Sequence, residues 1–309
     1  MPTEITVVVP VYNRAQTVLE TLDSVAGQNS APTGLIVVDD GSTDNSADDV
    51  QAWLRAHASV SQSLLIRSKN RGAGAARNLG LQHVTTPWVA FLDSDDLWPA
   101  DFLARAQQVL ASSSELVAAT ADRRYIDTSG STISLSSTKG IAANAIQWLF
   151  ENDGGIASAS VMRTDVVRRL GGFSEVLPTG EDSILFHPLS LAGPWRHIPG
   201  EPVTYRVGIA ASRGEFGNLT SVVSGNHRRW AQIYDDFIMR HGGSKLLPRS
   251  VYSRVLARRW FVAGKYSCRE EACYCLLRSL SWRFKTQTLW KLARIYLGQR
   301  TASSKSSAA

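Results

Sequence analysis

The chain begins its first apolar run at Ile5-Thr6-Val7-Val8-Val9, which continues into Pro10-Val11-Tyr12-Asn13-Arg14. Short runs rich in β-branched residues predict buried β-strands. Two later runs of the same kind, Leu35–Val38 and Trp88–Leu92, also end in polar residues. The opening stretch therefore predicts the first of several similar strands, each followed by side chains able to bind a ligand.

Segments with helical spacing separate these strands. Val18, Leu19, Leu22 and Val25 recur on one helical face, and further short strands are predicted at 64–66 and 116–120. Strands that alternate with helices predict an α/β fold, with a Rossmann-like, mostly parallel sheet flanked by helices. Ligands of such sheets bind outside the carboxyl ends of the strands, which is where the polar residues fall.

The composition is that of a globular protein. Of 309 residues, 44% are apolar and 19% are charged, which excludes disordered, collagen-like and disulfide-scaffold classes. No apolar run approaches the roughly 18–20 residues that cross a bilayer, and we expect no secretory signal at the start. The three cysteines lie close together near the end, and their odd number is typical of a reducing compartment. We therefore expect a cytoplasmic protein.

Basic residues are concentrated at the end of the chain. From Arg249 onward there are 13 Lys and Arg against two acids, which leaves 20 basic and 25 acidic residues before it. The high overall pI thus describes the tail alone, and we expect no nucleic-acid partner. Helices in this region either cover the domain or attach it to the inner face of an anionic membrane.

Asp93 and Asp95 follow the strand predicted at 88–92. Side chains two apart on a strand point to the same side, so the two carboxylates converge. Like charges held together destabilise each other unless a cation joins them, and oxygen ligands suit Mn²⁺ or Mg²⁺. The alternative is a solvated acidic turn that caps the next helix.

Three other motifs each have a simpler interpretation as helix caps or packing. They are Asp39-Asp40-Gly41-Ser42-Thr43-Asp44, the glycine-containing segment Asn70–Asn78 and the helix start Glu181-Asp182. The segment 70–78 lacks the third glycine of a dinucleotide fingerprint, since Arg77 stands in its place. It still allows backbone to approach a ligand and places Arg77 one turn into a helix.

Taken together and in order, these motifs resemble those of an inverting, nucleotide-sugar-dependent glycosyltransferase of family 2 with the GT-A fold. The resemblance covers about residues 4–207 and implies an α/β domain at 1–224, with a nucleotide-binding half at 1–120 and an acceptor half at 121–224. A basic helical region would follow at 225–300, and a disordered tail at 301–309.

The resemblance also implies a role for each motif. Tyr12 would stack on the base and Asp40 would accept its imide N–H, with Pro10, Asn70 and Arg77 lining the same pocket. Asp93 would approach the ribose or the metal, and Asp95 would bind Mn²⁺ or Mg²⁺ at the diphosphate. Asp182 would be the general base toward an acceptor hydroxyl on a glycan or a lipid-linked acceptor. Candidate acceptor or phosphate contacts are Glu181 and Arg206.

The sequence departs from the family pattern after Tyr205-Arg206, where Val207 follows and the histidine of many relatives is missing. Two rival functions remain open at this point. A sugar-1-phosphate nucleotidyltransferase would need a glycine-rich basic loop after the first strand, where this chain has Pro10–Arg14. A non-catalytic protein that binds nucleotide sugars as a scaffold would be favoured by loss of Asp95 or Asp182, and both are present.

Overall fold

The computed structural model describes residues 4–57, 62–152, 156–176, 181–207, 227–241, 246–266, 269–283, 288–289 and 291–292. The chain divides into two compact units, Met1–Thr220 and Ser221–Ala309. The tail predicted to be disordered, 301–309, lies outside the described residues. The division of the first unit into a nucleotide half and an acceptor half stays a prediction.

The described part of the first unit forms one eight-stranded sheet in the order β3-β2-β1-β4-β7-β5-β6, with β8 paired to β5. β1 to β4, β5 and β8 run in one direction, whereas β7 and β6 are antiparallel to their neighbours. The strands are β1 Ile5–Val11, β2 Gly34–Asp39, β3 Ser63–Arg67, β4 Trp88–Phe91, β5 Ala118–Ile126, β6 Thr132–Ser136, β7 Ser160–Arg163 and β8 Trp195–Arg206.

Helices cover both faces of this sheet. α1, α2 and α4 pack on one face, and α3, α5, α6 and α7 pack on the other. Their bounds are α1 Val18–Ala26, α2 Ser46–Ala56, α3 Ala73–Gln82, α4 Phe102–Leu110, α5 Ala145–Asn152, α6 Thr164–Arg169 and α7 Glu181–Ala192. The predicted α/β architecture is confirmed.

The central strands are buried on both faces, which explains their continuous apolar sequence. Val7 and Val9 of β1 belong to the core under α1 and α2, whereas Val8 between them belongs to the core under α3. Alternate side chains of a strand point to opposite faces, so a strand covered by helices on both sides must be apolar throughout.

The sequence analysis missed β6, which lies at the edge of the sheet. Ile133 and Leu135 are exposed there between small polar residues, so the segment lacks the apolar run that marked the central strands. Its strict alternation of apolar and polar residues is the signal that could have identified it.

The described part of the second unit contains three helices, α8 His227–His241, α9 Arg249–Tyr266 and α10 Arg269–Trp282. Asp235 of α8 is buried and accepts hydrogen bonds from Trp260 Nε1 of α9 at 3.2 Å and from Arg278 Nε of α10 at 2.7 Å. One carboxylate thereby joins all three helices. The predicted C-terminal helices are confirmed, and none of the helices described is long and apolar enough to span a membrane.

Gly80 permits α3 to lie close to the sheet, and we predict that Gly80→Ala destabilises the protein. A Cβ at this position would lie 2.4 Å from Val8 Cγ1 and 3.2 Å from Val38 Cγ2. The free energy of unfolding, measured by urea denaturation, should fall by about 1–3 kcal/mol from overpacking, although alanine favours the helix by about 1 kcal/mol.

Val8→Ala supplies the matched test, because it removes the methyl groups that the new Cβ would meet. It should cost less stability in the Gly80→Ala background than in the wild type. Simple additivity of the two losses would contradict this account of the helix–sheet contact.

Candidate active site

The carboxyl ends of β1, β2 and β4 meet at one edge of the sheet. β1 lies between the other two, and all three are parallel. Backbone hydrogen bonds continue this arrangement, from the Asp40 N–H to the Val11 carbonyl at 2.8 Å and from the Leu92 N–H to the Val8 carbonyl at 3.0 Å. The polar segments that follow these strands therefore lie side by side.

Residues 93–96, which we call the acidic turn, follow β4. Asp93 Oδ1 pairs with Arg77 Nη2 of α3 at 2.6 Å. Asp95 Oδ2 pairs with Arg14 Nε, from the loop after β1, at 3.3 Å. Two arginines from different segments thus neutralise two of the three carboxylates in this turn.

The third carboxylate, on Asp96, is buried and has no arginine side chain paired with it among the contacts described. It accepts the backbone N–H of Arg206 at 3.3 Å and the hydroxyl of Ser158. The same Ser158 oxygen accepts the N–H of Asp93 at 3.1 Å. One buried serine therefore joins both ends of the acidic turn.

α1 fixes the backbone of the acidic turn from its other side. Thr17 Oγ1 donates to the Ser94 carbonyl at 2.9 Å, and Thr21 Oγ1 donates to the Asp96 carbonyl at 3.0 Å, both buried. Because these threonines are four residues apart, one helical face supplies both bonds. The turn is consequently held by a helix and by sheet segments together.

Asp40 has both of its carboxylate oxygens in use. Oδ1 accepts the N–H of Arg71 at 2.9 Å, and Oδ2 accepts the N–H of Gly72 at 2.7 Å. Burial raises the pKa of Asp40, although these hydrogen bonds oppose the rise. The Ser68 hydroxyl also donates to Oδ1, at 3.4 Å. Asp40 therefore orders the loop before α3, and Oδ2, which accepts one bond among those described, retains a further lone pair for a ligand.

Two turns at this edge interlock with the Asp40 loop. Asn13 adopts a left-handed backbone, with φ of 51°, and its side chain accepts the N–H of Thr43 at 2.8 Å. Gly41 is also left-handed, and a Cβ there would lie 2.8 Å from the backbone N of Asn70. Tyr12 is half-buried just before Asn13, and Asn70 is exposed. Tyr12, Asp40 and Asn70, which are predicted to line the nucleotide pocket, thus come from loops in mutual contact.

Arg77 is buried and lies over the ring of Phe173, with 5.1 Å from Cζ to the ring centroid. Phe173 packs edge-on against Phe91 of β4, at 4.8 Å between centroids. Asn78 binds the Phe173 backbone twice, accepting its N–H at 2.8 Å and donating to its carbonyl at 2.9 Å. The segment that leads toward α7 is therefore attached to α3 beside the acidic turn.

Asp182 lies in the first turn of α7, where its carboxylate accepts the N–H of Ser183 at 2.7 Å. Leu185 and Phe186, one turn later, are buried in the core on the α3 side of the sheet. The side chain of Glu181 lies outside the described residues. A base role for Asp182 stays a prediction.

The guanidinium of Arg206 pairs with Glu20 of α1, and its backbone N–H donates to Asp96 of the acidic turn at 3.3 Å. In this arrangement Arg206 links β8 to α1. A role for Arg206 as an acceptor or phosphate contact stays a prediction.

Comparison with known proteins identifies the family. The sequence model of glycosyl transferase family 2 matches residues 6–171. A glycosyltransferase of Nostoc sp., alr2836, is 33% identical over 282 residues, which are 86% of this chain and 85% of the relative. The chain belongs to glycosyltransferase family 2.

This glycosyltransferase also resembles proteins of stated substrate over shorter stretches. The Escherichia coli protein WfgD, named a UDP-Glc:α-D-GlcNAc-diphosphoundecaprenol β-1,3-glucosyltransferase, is 34% identical over 99 residues, or 32% of this chain and 38% of WfgD. In three longer glycosyltransferases of Rickettsia, the matched part is only 16–26% of their length.

Solved structures confirm the GT-A fold. Staphylococcus aureus TarS 1–349 in complex with UDP has a TM-score of 0.66 at 17% identity, over 91% of this chain and 81% of that one. The mannosyltransferase PcManGT of Pyrobaculum calidifontis, in complex with GDP-Man and Mn²⁺, has a TM-score of 0.60 at 20% identity, over 95% and 79%.

The acidic turn of this glycosyltransferase has the chemistry of a divalent-cation site. Burial raises the pKa of Asp95, Arg14 lowers it and Asp93 raises it again, with a net rise. Burial raises the pKa of Asp96 well above its ordinary value, and Asp95 and Asp93 add to the rise. Burial is the larger cause of both rises, and the neighbouring carboxylates add to it. Carboxylate oxygens are the ligands that Mn²⁺ and Mg²⁺ prefer. The residues present therefore fit a metal ion.

Sequence reasoning missed the residues that support this turn. Arg14 belongs to the motif after β1 but was assigned no role there. Nothing in the sequence indicated a supporting role for Thr17, Thr21 or Ser158. The helical spacing of Thr17 and Thr21 places them on one face, but nothing local shows that this face meets the acidic turn.

We predict that Ser158→Ala lowers the free energy of unfolding by about 1–3 kcal/mol, because it leaves the buried N–H of Asp93 without a partner and removes one of the donors to the buried Asp96 carboxylate. Urea denaturation measures the loss. Ser160→Ala is the matched control, since Ser160 is also fully buried but makes one bond, to the Ile156 carbonyl at 2.8 Å. Equal losses in the two variants would show that Ser158 does not hold the acidic turn.

Proposed function

We propose that this glycosyltransferase moves a sugar from a nucleoside diphosphate sugar, a UDP-sugar, to an acceptor hydroxyl in one metal-assisted displacement that inverts the anomeric centre. The observation that carries the proposal is the acidic turn, held rigidly beside the Asp40 loop and Arg77 at the sheet edge. The nucleotide in the TarS complex supports UDP as the carrier.

Asp95 and Asp93 would hold the cation, Mn²⁺ or Mg²⁺. When bound, such an ion neutralises charge on the departing diphosphate. Mn²⁺ in the PcManGT complex supports this assignment. Arg77, buried and already paired with Asp93, keeps that carboxylate oriented.

The nucleoside would lie against the loops after β1 and β2. Tyr12 would stack on the base, Asp40 would accept its imide N–H, and Pro10 and Asn70 would complete the pocket beside Arg77. The contact between the Gly41 turn and Asn70 supports one shared pocket for these residues.

Asp182 would take the proton from the acceptor hydroxyl as its oxygen attacks the anomeric carbon opposite the leaving group. A single displacement needs no covalent nucleophile on the protein, and inversion follows. Glu181 would contact the acceptor from the same helix start.

A glycan or lipid-linked acceptor is supported by the name of WfgD, and such acceptors belong to the synthesis of cell-surface polysaccharide or glycolipid. The basic second unit would hold the enzyme at the cytoplasmic face of the membrane that carries them. Arg254 and Arg258 support this, because they are exposed one turn apart on α9.

We predict that Asp182→Asn lowers the rate of sugar transfer by about 10²–10⁴-fold, because the amide cannot accept the proton. Donor affinity, measured by calorimetry, should stay within twofold of the wild type. Asp165→Asn is the matched control, since Asp165 also lies in the first turn of a helix and is exposed. Undiminished transfer by Asp182→Asn would refute its role, and wild-type protein that binds donor without transfer would favour the scaffold alternative.

We predict that the protein sediments with vesicles of anionic phospholipid at low salt and is released at high salt. The double variant Arg254→Gln, Arg258→Gln should bind about 10–30-fold more weakly, since each surface Arg contributes about 1 kcal/mol on such vesicles. Arg67→Gln, Arg169→Gln removes two exposed charges from the first unit as a control. Equal binding by both double variants would contradict attachment through α9.

A further inference from the structure

Arg14 is fixed at its backbone and lightly held at its side chain. Its N–H donates to Ser46 Oγ at 2.7 Å, and its carbonyl accepts the N–H groups of Thr17 and Val18, both at 2.9 Å. The guanidinium makes one bond to a side chain, from Nε to Asp95 at 3.3 Å, and one to the backbone, from Nη1 to the Asn13 carbonyl at 3.2 Å. The Nη2 group has no partner among the residues described.

The pair that Arg14 forms with Asp95 is largely shielded from water, with 16% and 13% of the two side chains exposed. Charges in such surroundings interact more strongly than they do at a surface. A divalent cation that binds at Asp95 without a nucleotide would therefore be repelled by the positive charge of Arg14.

The protein also supplies few ligands of its own. In the part of the chain that the structure describes, no three His, Cys, Asp or Glu side chains come together in a group that could hold a metal ion. Mn²⁺ and Mg²⁺ take about six oxygen ligands, so waters and phosphate oxygens must complete the set.

We propose that Arg14 couples the metal to the nucleoside diphosphate: its charge opposes a lone divalent cation at Asp95 and favours the cation only together with a diphosphate. This inference rests on the proposed function, because it assumes the metal at Asp95. Arg14 acts by its charge, both on Asp95 and toward the phosphate oxygens.

The coupling follows from electrostatics. With no nucleotide, Arg14 and the cation compete for one carboxylate. A diphosphate adds negative charge beside both, and the donors of Nη2 then have phosphate oxygens to bind. By linkage, the factor by which UDP tightens Mn²⁺ binding equals the factor by which Mn²⁺ tightens UDP binding.

The test is a titration of the full-length protein with Mn²⁺, followed by the electron paramagnetic resonance signal of free Mn²⁺, with and without saturating UDP. Arg14→Met should bind Mn²⁺ alone about tenfold more tightly than the wild type, and the tightening caused by UDP should shrink about tenfold, a coupling of ordinary size. Arg14→Gln, which keeps a hydrogen-bond donor without the charge, should match Arg14→Met. Arg14→Lys should resemble the wild type.

Arg67→Met is the control for loss of one arginine, because Arg67 lies at the surface and pairs with Asp48. Mn²⁺ affinity and UDP coupling that are unchanged in both Arg14→Met and Arg14→Gln would overturn the inference, and so would weaker binding of Mn²⁺ alone. If the binding of Mn²⁺ without UDP is too weak to measure in all of these proteins, the effect of Mn²⁺ on UDP affinity is measured instead. By linkage it gives the same coupling factor. Asp95→Ala tests the proposed metal site separately from the role of Arg14. Unaltered Mn²⁺ binding by this variant would refute the metal site itself.

Discussion

Three carboxylates within four residues repel one another, and the first unit holds them together. Asp93, Asp95 and Asp96 keep their places because backbone and hydroxyl donors from distant segments fix the turn that carries them. The free energy of folding offsets this repulsion, because the packing of the sheet and α1 positions the segments that carry the donors. The result is a site of crowded negative charge that is ready before any ligand arrives.

The position of β1 explains why the acidic turn lies beside the residues predicted to bind a nucleotide. A strand with parallel neighbours on both sides brings the loops after all three strands to one edge. The loop after β1 then touches the loop after β2 through Asn13 and Thr43, and reaches the loop after β4 through Arg14. The proximity of the proposed nucleotide and metal residues is thus a consequence of strand order, and it requires no contact between residues close in sequence.

Sequence reasoning succeeded where the physical cause is local. The two-residue period of a strand predicts that Asp93 and Asp95 share a side, and burial on both faces marks β1, β2 and β4. It failed where the cause is a distant partner. Ser158 meets Asp93 because it lies in a short 3-10 helix, Ala157–Ala159, that leads into β7 beside β4. The pairing of the Arg206 guanidinium with Glu20 likewise joins the end of β8 to α1, which are far apart in sequence. The exposed edge strand β6 was missed for a third reason. Nothing requires an exposed strand to be apolar, so its sequence lacks the apolar run that predicts a buried strand.

The two arginines of the acidic turn differ in how firmly they are held, and the difference assigns them different parts. Arg77 is buried, stacked on Phe173 and bonded to Asp93 at 2.6 Å, so moving it would break an aromatic contact and leave a carboxylate without its cation. Arg14 reaches Asp95 by one longer bond from a fixed backbone. Under the proposed function a metal and a diphosphate would bind at these carboxylates, which would call for one permanent counter-ion and one that can be shared. The fold provides the first from a helix in the core and the second from a loop at the sheet edge.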